Sequence, residues 1–244
     1  MAVWGGYPQT VNYSTVNVAK GGGSENLLIN PRGKVNQLSE AQGVVAAGKY
    51  FCDGWKAGAA GAEVYIDEDG FRLISGSIVQ LVPNTIEAGR NLRSSMDVIS
   101  GAPVMSINGG TDNEPNSAGE YIKFEISGDN SKFSRIVLAE SVEMPFYQQL
   151  SDEIKPCLRF LQKLTTSMAL CAVTQGDEST RYRRCSFRFE CMHKIPAVSG
   201  LADNYSANIT VQYISKTELT LSATAATINH ASLQLPGLTL DARP

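Results

Sequence analysis

From Asn26 onward the chain alternates short apolar runs with clusters of turn-forming residues, and this alternation limits the folds open to it. The runs are rich in Val, Ile, Phe and Tyr, and clusters of Gly, Asn, Asp and Pro separate them about every 8–12 residues. In the clearest local pair, residues 63–67 alternate apolar and polar, Asp69-Gly70 provides a turn, and residues 71–75 return. The pattern predicts an all-β protein built as a sandwich or a barrel.

The same pattern predicts two units joined by a helix. Ser151-Asp152-Glu153 provides a cap and an acidic first turn, and Pro156 is tolerated only near a helix start. The apolar face of this helix would consist of Ile154, Leu158, Leu161 and Leu164. Strand-like runs precede it at 77–82, 92–99, 103–107, 120–127 and 133–138, and follow it at 168–173, 183–191, 207–214, 217–223 and 232–240. We therefore expect a second sandwich after the helix.

Composition argues against two classes of partner. Charged residues make up 18% of the 244 residues and the net charge is only -3, so the broad basic field that binds nucleic acid is missing. No window approaches the ~18–20 apolar residues of a membrane span, and residues 1–6 lack the basic start and apolar stretch of a signal peptide. We expect a soluble protein, made in a cytosol, that binds no nucleic acid and does not insert into membranes.

The cysteines and histidines predict no disulfide framework, metal site or cofactor. The five cysteines form no Cys-x-x-Cys pair and their number is odd, so we expect them to be reduced and buried. Cys185 and Cys191 fall in an alternating run with Phe187 and Phe189, which would place them on one strand face. The two histidines, His193 and His230, have no ligand at metal-binding spacing and no nucleophile motif beside them.

Residues 1–25 form a different kind of segment, rich in Gly, Asn, Ser and Thr and poor in large apolar residues. Trp4 and Tyr7 are its strong apolar anchors, and Gly21-Gly22-Gly23 gives it a flexible joint. Such a segment cannot offset the entropy of ordering by itself, so it would order only against a partner. The alternative is a terminus without a role.

Acidic residues in turns raise the question of a glycosidase. Asp67, Glu68, Asp69, Asp112 and Glu114 are the carboxylates to test, because paired carboxylates hydrolyse glycosides. Acidic residues in turns are usually solvated, and the chain lacks the length and period of a β-helix hydrolase. We expect no enzymatic activity.

The strongest positive patch begins at Arg181-Tyr182-Arg183-Arg184 and continues to Arg188 and Lys194. This patch could bind an acidic polysaccharide or phosphate. The alternation with Phe187 and Phe189 favours the other interpretation, in which these are the polar sides of a strand.

Aromatic side chains are the candidates for carbohydrate binding, because an aromatic face offers apolar area with a polar edge. Trp55, Tyr121 and Tyr205 are the residues that we single out. Each of these side chains could instead lie in the core of a sandwich. For a Trp in a sandwich strand, the core position is the favoured interpretation.

Four short blocks carry a resemblance. They are Asn26-Leu27-Leu28-Ile29-Asn30 with the run from Ala46 to Lys56, then 136–146, then Cys157-Leu158-Arg159-Phe160, and finally Leu240-Asp241-Ala242-Arg243. In order and spacing they resemble the "NLLIN", "D-x-W-K", "V-Q-L-E…A-T-P-F", "L-C-Q-R-Y" and "D-A-E-L" stretches of bacteriophage tail fibre and tailspike modules, over residues 26–244. Arg159 departs from that pattern where Gln is usual, and so does the Asp-Ala-Arg-Pro ending.

The resemblance implies jelly-roll-like β-sandwiches with one short helix and an extended N-terminal arm. The domains would be a virion-attachment arm at 1–25, with Trp4 and Tyr7 as contacts, a sandwich at 26–147, and the helix with a C-terminal sandwich at 148–244. It further implies a homotrimeric virion protein that binds other virion proteins through the arm and recognises host surface polysaccharide. A head-decoration or collar protein without its own ligand is the alternative.

Overall fold

The structure is a computed structural model that describes residues 25–164, 170–172, 182–201, 207–225, 231–233 and 238–244. In these residues it contains seventeen strands, paired antiparallel, and one helical turn, which confirms the predicted all-β fold with one short helix. The strands before the helix are β1 (Gly43–Val45), β2 (Tyr50–Cys52), β3 (Trp55–Asp67), β4 (Gly70–Pro83), β5 (Asn91–Ser100), β6 (Val104–Ile107), β7 (Asn113–Pro115), β8 (Tyr121–Ser127) and β9 (Ser131–Glu140). After α1 (Ile154–Cys157) come β10 (Leu161–Leu164), β11 (Leu170–Ala172), β12 (Tyr182–Arg188), β13 (Ala197–Ser199), β14 (Ala207–Ile214), β15 (Glu218–Ala225), β16 (Ala231–Leu233) and β17 (Leu238–Asp241).

The long hairpin β3–β4 belongs to both layers of the first sandwich. Near its turn, β3 pairs with β1 and β4 pairs with β9. Beyond a bulge between Ala57 and Ala62, the other half of the hairpin pairs with β2 and β8. Because a bulge bends a strand, each half of the hairpin contributes to a different layer. One layer continues to β6 and the other to β5 and β7.

Gly76 allows the close approach of the two strands at this bend. Its φ is +82°, and a Cβ there would lie 2.3 Å from the main-chain oxygen of Gly61. We expect Gly76→Ala to lower the free energy of unfolding by about 1–3 kcal/mol beyond the cost of left-handed strain. Gly89 is the matched control, with φ +83° and no atom within 4 Å of a Cβ, so Gly89→Ala should cost only about 1–2 kcal/mol. Equal losses in urea unfolding would contradict a tightly packed bend.

An aromatic cluster fills the space between the two layers. The ring centroid of Trp55 lies 5.3 Å from that of Phe71 and 6.3 Å from that of Phe124, and Phe71 stacks on Phe133. Trp55 is fully buried, and its Nε1–H donates to the main-chain oxygen of Asn30 at 2.9 Å. An enclosed indole cannot stack on a sugar ring. The carbohydrate-binding prediction for Trp55 is therefore wrong, and its core alternative is correct.

The segment 26–30 has no regular secondary structure, and side-chain amides supply its hydrogen bonds. Asn26 bonds the main chain of β9 in both directions, at 2.9 and 3.1 Å. Gln80 accepts from the N–H of Ile29 at 2.8 Å and donates to its carbonyl at 3.0 Å. Asn30 adopts a left-handed φ of 49°. The segment thereby crosses the first sandwich with its buried polar groups satisfied.

The helix is shorter than the predicted one and ends at Cys157. Asp152 caps it, since its Oδ1 accepts from the N–H groups of Ile154 and Lys155 at 3.1 and 3.3 Å. Leu161 and Leu164, predicted on the helix face, lie instead in β10, where pairing with β17 satisfies their main-chain groups. Strand pairing replaces further helical hydrogen bonds at this point.

The second sandwich has two three-stranded sheets with a small core between them. One sheet has the order β10-β17-β13 and the other β12-β15-β14. Leu238 and Leu240 of β17 pack with Leu219 and Leu221 of β15, and all four are fully buried. β11 and β16 form a separate pair.

The cysteines follow the prediction in part. Cys52 and Cys157 are free and buried, and burial raises the pKa of both thiols. Cys191 is free but exposed, because β12 ends at Arg188 and the alternation does not continue to it. The side chains of Cys171 and Cys185 lie outside the described residues.

The two sandwiches are joined by main-chain and ionic contacts. The hydroxyl of Tyr50 donates to the main-chain oxygen of Pro244 at 2.6 Å, Arg243 pairs with Glu40 at 2.7 Å, and Ile29 packs on Cys157 and Phe160. The four sequence blocks that carry the resemblance thus meet at this junction. Among the described residues, no helix is long and apolar enough to cross a membrane.

Candidate functional site

A groove of about 720 Å³ lies along the second sandwich beside α1, and we call it the junction groove. This volume falls within the range of small-molecule sites. Its walls come from four separate parts of the chain, namely Glu25 before the first sandwich, the segment around α1, the segment after β12, and the turn before β15. The lining residues are Glu25, Leu150, Ser151, Asp152, Lys155, Pro156, Leu158, Arg159, Glu190, Cys191, Met192, His193 and Lys216.

Main-chain hydrogen bonds fix these walls to one another. The N–H of His193 donates to the carbonyl of Arg159 at 2.7 Å, and the N–H of Met192 donates to the carbonyl of Lys216 at 2.9 Å. On the α1 side, Glu153 accepts from Arg32 at 2.8 Å and from Tyr147 at 3.0 Å. The groove is therefore formed before any ligand arrives, which lowers the entropy cost of binding.

Three rings gather at one end of the junction groove. The hydroxyl of Tyr121 lies 3.1 Å from Nε2 of His193, and their ring centroids are 5.7 Å apart in an edge-to-face arrangement. The ring of Phe160 lies 5.7 Å from His193 on another side. Tyr121 is half-buried and is not among the residues that line the groove. This predicted carbohydrate-binding residue therefore lies beside the groove.

The potential at this end is positive. Burial lowers the pKa of His193 most, and the nearby Lys194, Lys216 and Arg159 lower it further, while Glu120 alone among its main neighbours raises it. The imidazole is therefore neutral at neutral pH, so one of its ring nitrogens donates a hydrogen bond and the other accepts one.

This lowered pKa predicts a pH dependence of stability. Below the ordinary value of 6.5 the unfolded chain binds a proton that the folded chain resists, so the free energy of unfolding falls as the pH falls through this window. His193→Gln removes the titration and keeps a polar partner for Tyr121. We expect melting temperatures measured from pH 7.5 to about 5 to drop more in the parent protein than in the variant. Parallel curves would contradict the assignment to His193.

A second groove of about 450 Å³ adjoins the first and shares Glu25, Leu150, Pro156 and Arg159 with it. It runs between the segment 25–31 and the exposed side chains of Phe146 and Leu150. The two grooves together make one continuous recess at the junction.

Not all of the predicted site residues belong to the part of the chain that the structure describes. Trp4, Tyr7 and Tyr205 lie outside the described residues, as do the side chains of Arg183 and Arg184 in the basic run. In the described residues, no group of three His, Cys, Asp or Glu could hold a metal.

The turn carboxylates have structural partners. Asp67 and Asp69 both pair with Lys132, at 3.1 and 2.7 Å. Hydrogen bonds from Arg72 and then Lys132 lower the pKa of Asp67, and the hydrogen bond from Lys132 lowers that of Asp69. Glu114 accepts from the main chain and hydroxyl of Thr111 at 2.6 and 2.8 Å. These carboxylates stabilise turns and are held in their ionised form.

The lining cations Lys155, Arg159 and Lys216 were not predicted from the sequence. Arg159 stood out only as a departure from the family pattern, and no spacing connects it with Lys216. Strand pairing in the second sandwich brings them together, and a single sequence gives no signal of that.

No protein-family model, curated protein or solved structure matches this chain.

Proposed function

We propose that the protein is a structural component of a phage virion, a fibre or spike, that recognises host surface carbohydrate through the junction groove. The groove is the observation that carries the proposal. It combines the apolar side chains of Leu150 and Pro156 and the imidazole of His193 with a dense set of charged and polar groups on a rigid frame, which suits a ligand with apolar ring faces and many hydroxyls. The sequence resemblance supports the virion assignment.

In this proposal residues 1–25 attach the protein to other virion proteins, and three chains associate. Three copies engaging one cell raise the effective concentration of each weak sugar contact. No catalytic step is proposed, because Asp67, Asp69 and Glu114 are engaged in ion pairs and turn contacts.

The arm gives a prediction of its own. Deleting residues 1–24 should leave a folded oligomer, because the core of the first sandwich begins at Leu28. The truncated protein should no longer join the virion, which a pull-down with purified particles would measure. A truncated chain that fails to fold, judged by circular dichroism, would contradict the attachment role.

Carbohydrate recognition is tested by binding to a panel of bacterial strains before and after periodate oxidation, which cleaves sugar diols. We expect saturable binding that oxidation removes, from particles of three times the 26.3 kDa chain mass by light scattering. Tyr121→Ala removes the hydroxyl 3.1 Å from Nε2 of His193, a lining residue, and should weaken binding about tenfold. Tyr213→Ala, an exposed tyrosine on β14, is the matched control and should leave binding unchanged. Binding that survives oxidation would overturn the proposal.

A second candidate function is a head-decoration or collar protein without its own ligand. The segment 142–154 favours it, because it carries five large apolar side chains that are 42–74% exposed. They are Val142, Met144, Phe146, Leu150 and Ile154. Exposed apolar patches of this kind mark protein contacts. A well-folded oligomer that binds virion particles but no cells would favour this function.

A further inference from the structure

The three cations that line the junction groove have no carboxylate partner among the described residues. Arg32 and Arg243, for comparison, pair with glutamates at 2.8 and 2.7 Å. Lys155, Arg159 and Lys216 form no ion pair with any residue that the structure describes. Their charges are open to a ligand.

Hydrogen bonds hold the main chain of two of these cations in place. The main chains of Arg159 and Lys216 are hydrogen-bonded to His193 and Met192, which follow one another in the chain. Both charges, with Lys194 beside them, act on the same imidazole. The guanidinium of an arginine can bind a carboxylate through two parallel hydrogen bonds, and an adjacent ammonium strengthens the attraction.

The rest of the groove sets a limit on the charge density of the ligand. Glu25, Asp152 and Glu190 also line it, and they would repel a polymer that carries a phosphate on every unit. The same carboxylates accept hydrogen bonds from hydroxyls. Leu150 and Pro156 add apolar surface for the C–H face of a sugar ring. The lining therefore matches hydroxyl-rich units that bear an occasional carboxylate.

We infer that the junction groove binds an acidic saccharide, with a sugar carboxylate at Arg159 and Lys216 and neighbouring hydroxyls at Glu190 and Asp152. The inference rests on the proposed carbohydrate recognition and specifies the class of sugar. The carboxylate replaces the missing ion-pair partner of the two cations.

The ligand side of the test uses uronate-containing polysaccharides, each compared with its own carboxyl-reduced form, in which the acid becomes a primary alcohol. A phosphodiester-linked glycerol polymer and a neutral glucan complete the panel. We expect the full-length protein to bind at least one uronate polymer and to lose affinity at least tenfold on carboxyl reduction. Raising the ionic strength from about 0.05 to about 0.5 M should weaken this binding.

The protein side uses Arg159→Met and Lys216→Met, which keep the length of the side chains and remove the charge. We expect each variant to lower uronate affinity about threefold to tenfold, with unchanged affinity for the carboxyl-reduced form. Arg188→Met and Lys163→Met are the matched controls, because both residues are exposed and lie outside the groove lining. Circular dichroism and melting temperatures check that all four variants fold.

The outcomes separate the two levels of the proposal. Equal affinity for a polysaccharide and its carboxyl-reduced form would overturn the acidic-sugar inference and leave carbohydrate recognition standing. Stronger binding to the phosphodiester polymer than to any uronate would overturn it as well. Absence of binding to every polysaccharide, together with cell binding that survives periodate, would overturn both.

Discussion

Replacing Trp55 with alanine should lower the free energy of unfolding by about 3–5 kcal/mol, the usual cost of removing a large aromatic side chain from a core. Trp55 is fully buried between the two layers of the first sandwich, and its ring contacts those of Phe71 and Phe124 edge-on. These neighbours sit on different halves of the sandwich, so the cavity cannot close without moving both layers. Equilibrium urea unfolding followed by far-ultraviolet circular dichroism measures the loss.

Trp55→Phe separates the ring packing from the hydrogen bond. This variant keeps most of the apolar volume and leaves the carbonyl of Asn30 without its 2.9 Å partner. We expect a smaller loss of about 1–3 kcal/mol. Carbohydrate binding should be unchanged in this variant, because the indole does not reach the surface. A variant that is as stable as the parent but fails to bind sugar would contradict the core position.

The fold could be predicted well where the evidence is local. The hairpin at 63–75 forms as predicted, although its turn consists of Glu68 and Asp69 and Gly70 already begins β4, opposite Asp67. Strand β14 begins and ends at the predicted residues 207 and 214. The helix predicted from the periodicity of apolar residues is wrong at Leu161 and Leu164. Their spacing fits a helix face, but β17, far away in sequence, offers hydrogen bonds that favour a strand there.

The short strands β1, β2, β7 and β13 were not predicted, because three residues are too few to show a period. They are strands only because a longer neighbour pairs with them.

The junction groove could not be predicted from the sequence for a related reason. Arg159 and Lys216 lie on turns that are ordinary in sequence, and Lys155 lies in α1. The contacts between His193 and Arg159 and between Met192 and Lys216 join parts of the chain that only the tertiary structure brings together.

Arg243 should be the most sensitive charged residue of the junction. Its side chain is 7% exposed, and it pairs with Glu40 at 2.7 Å and Asp241 at 2.8 Å while its guanidinium lies 4.1 Å from the centre of the Tyr50 ring. Burial lowers the pKa of Arg243, but the hydrogen bonds that it donates to Asp241 and Glu40 outweigh this effect and raise the pKa above its ordinary value, so it stays charged at any working pH. The pair with Glu40 spans 203 residues and joins the end of β17 to the first sandwich.

Arg243→Ala should therefore lower the free energy of unfolding by about 3–5 kcal/mol, because it leaves the Glu40 carboxylate mostly buried without its partner. One oxygen of that carboxylate, Oε2, already lacks a hydrogen-bond partner among the described residues. The matched control is Arg135→Ala, whose ion pair with Asp97 is more than half exposed and should contribute at most about 1 kcal/mol. Adding Glu40→Ala to Arg243→Ala should recover part of the loss, since neither charge is then left alone.

The same variant should also uncouple the two sandwiches. Tyr50 and Lys56 donate to the main-chain oxygen of Pro244 at 2.6 and 3.1 Å, so the chain end is held through residues that Arg243 positions. We expect the parent to unfold in one transition, and Arg243→Ala to show separate transitions by tryptophan fluorescence and by circular dichroism. A single coincident transition with a loss no larger than that of Arg135→Ala would show that packing of Ile29 on Cys157 and Phe160 joins the sandwiches without help from the buried ion pair.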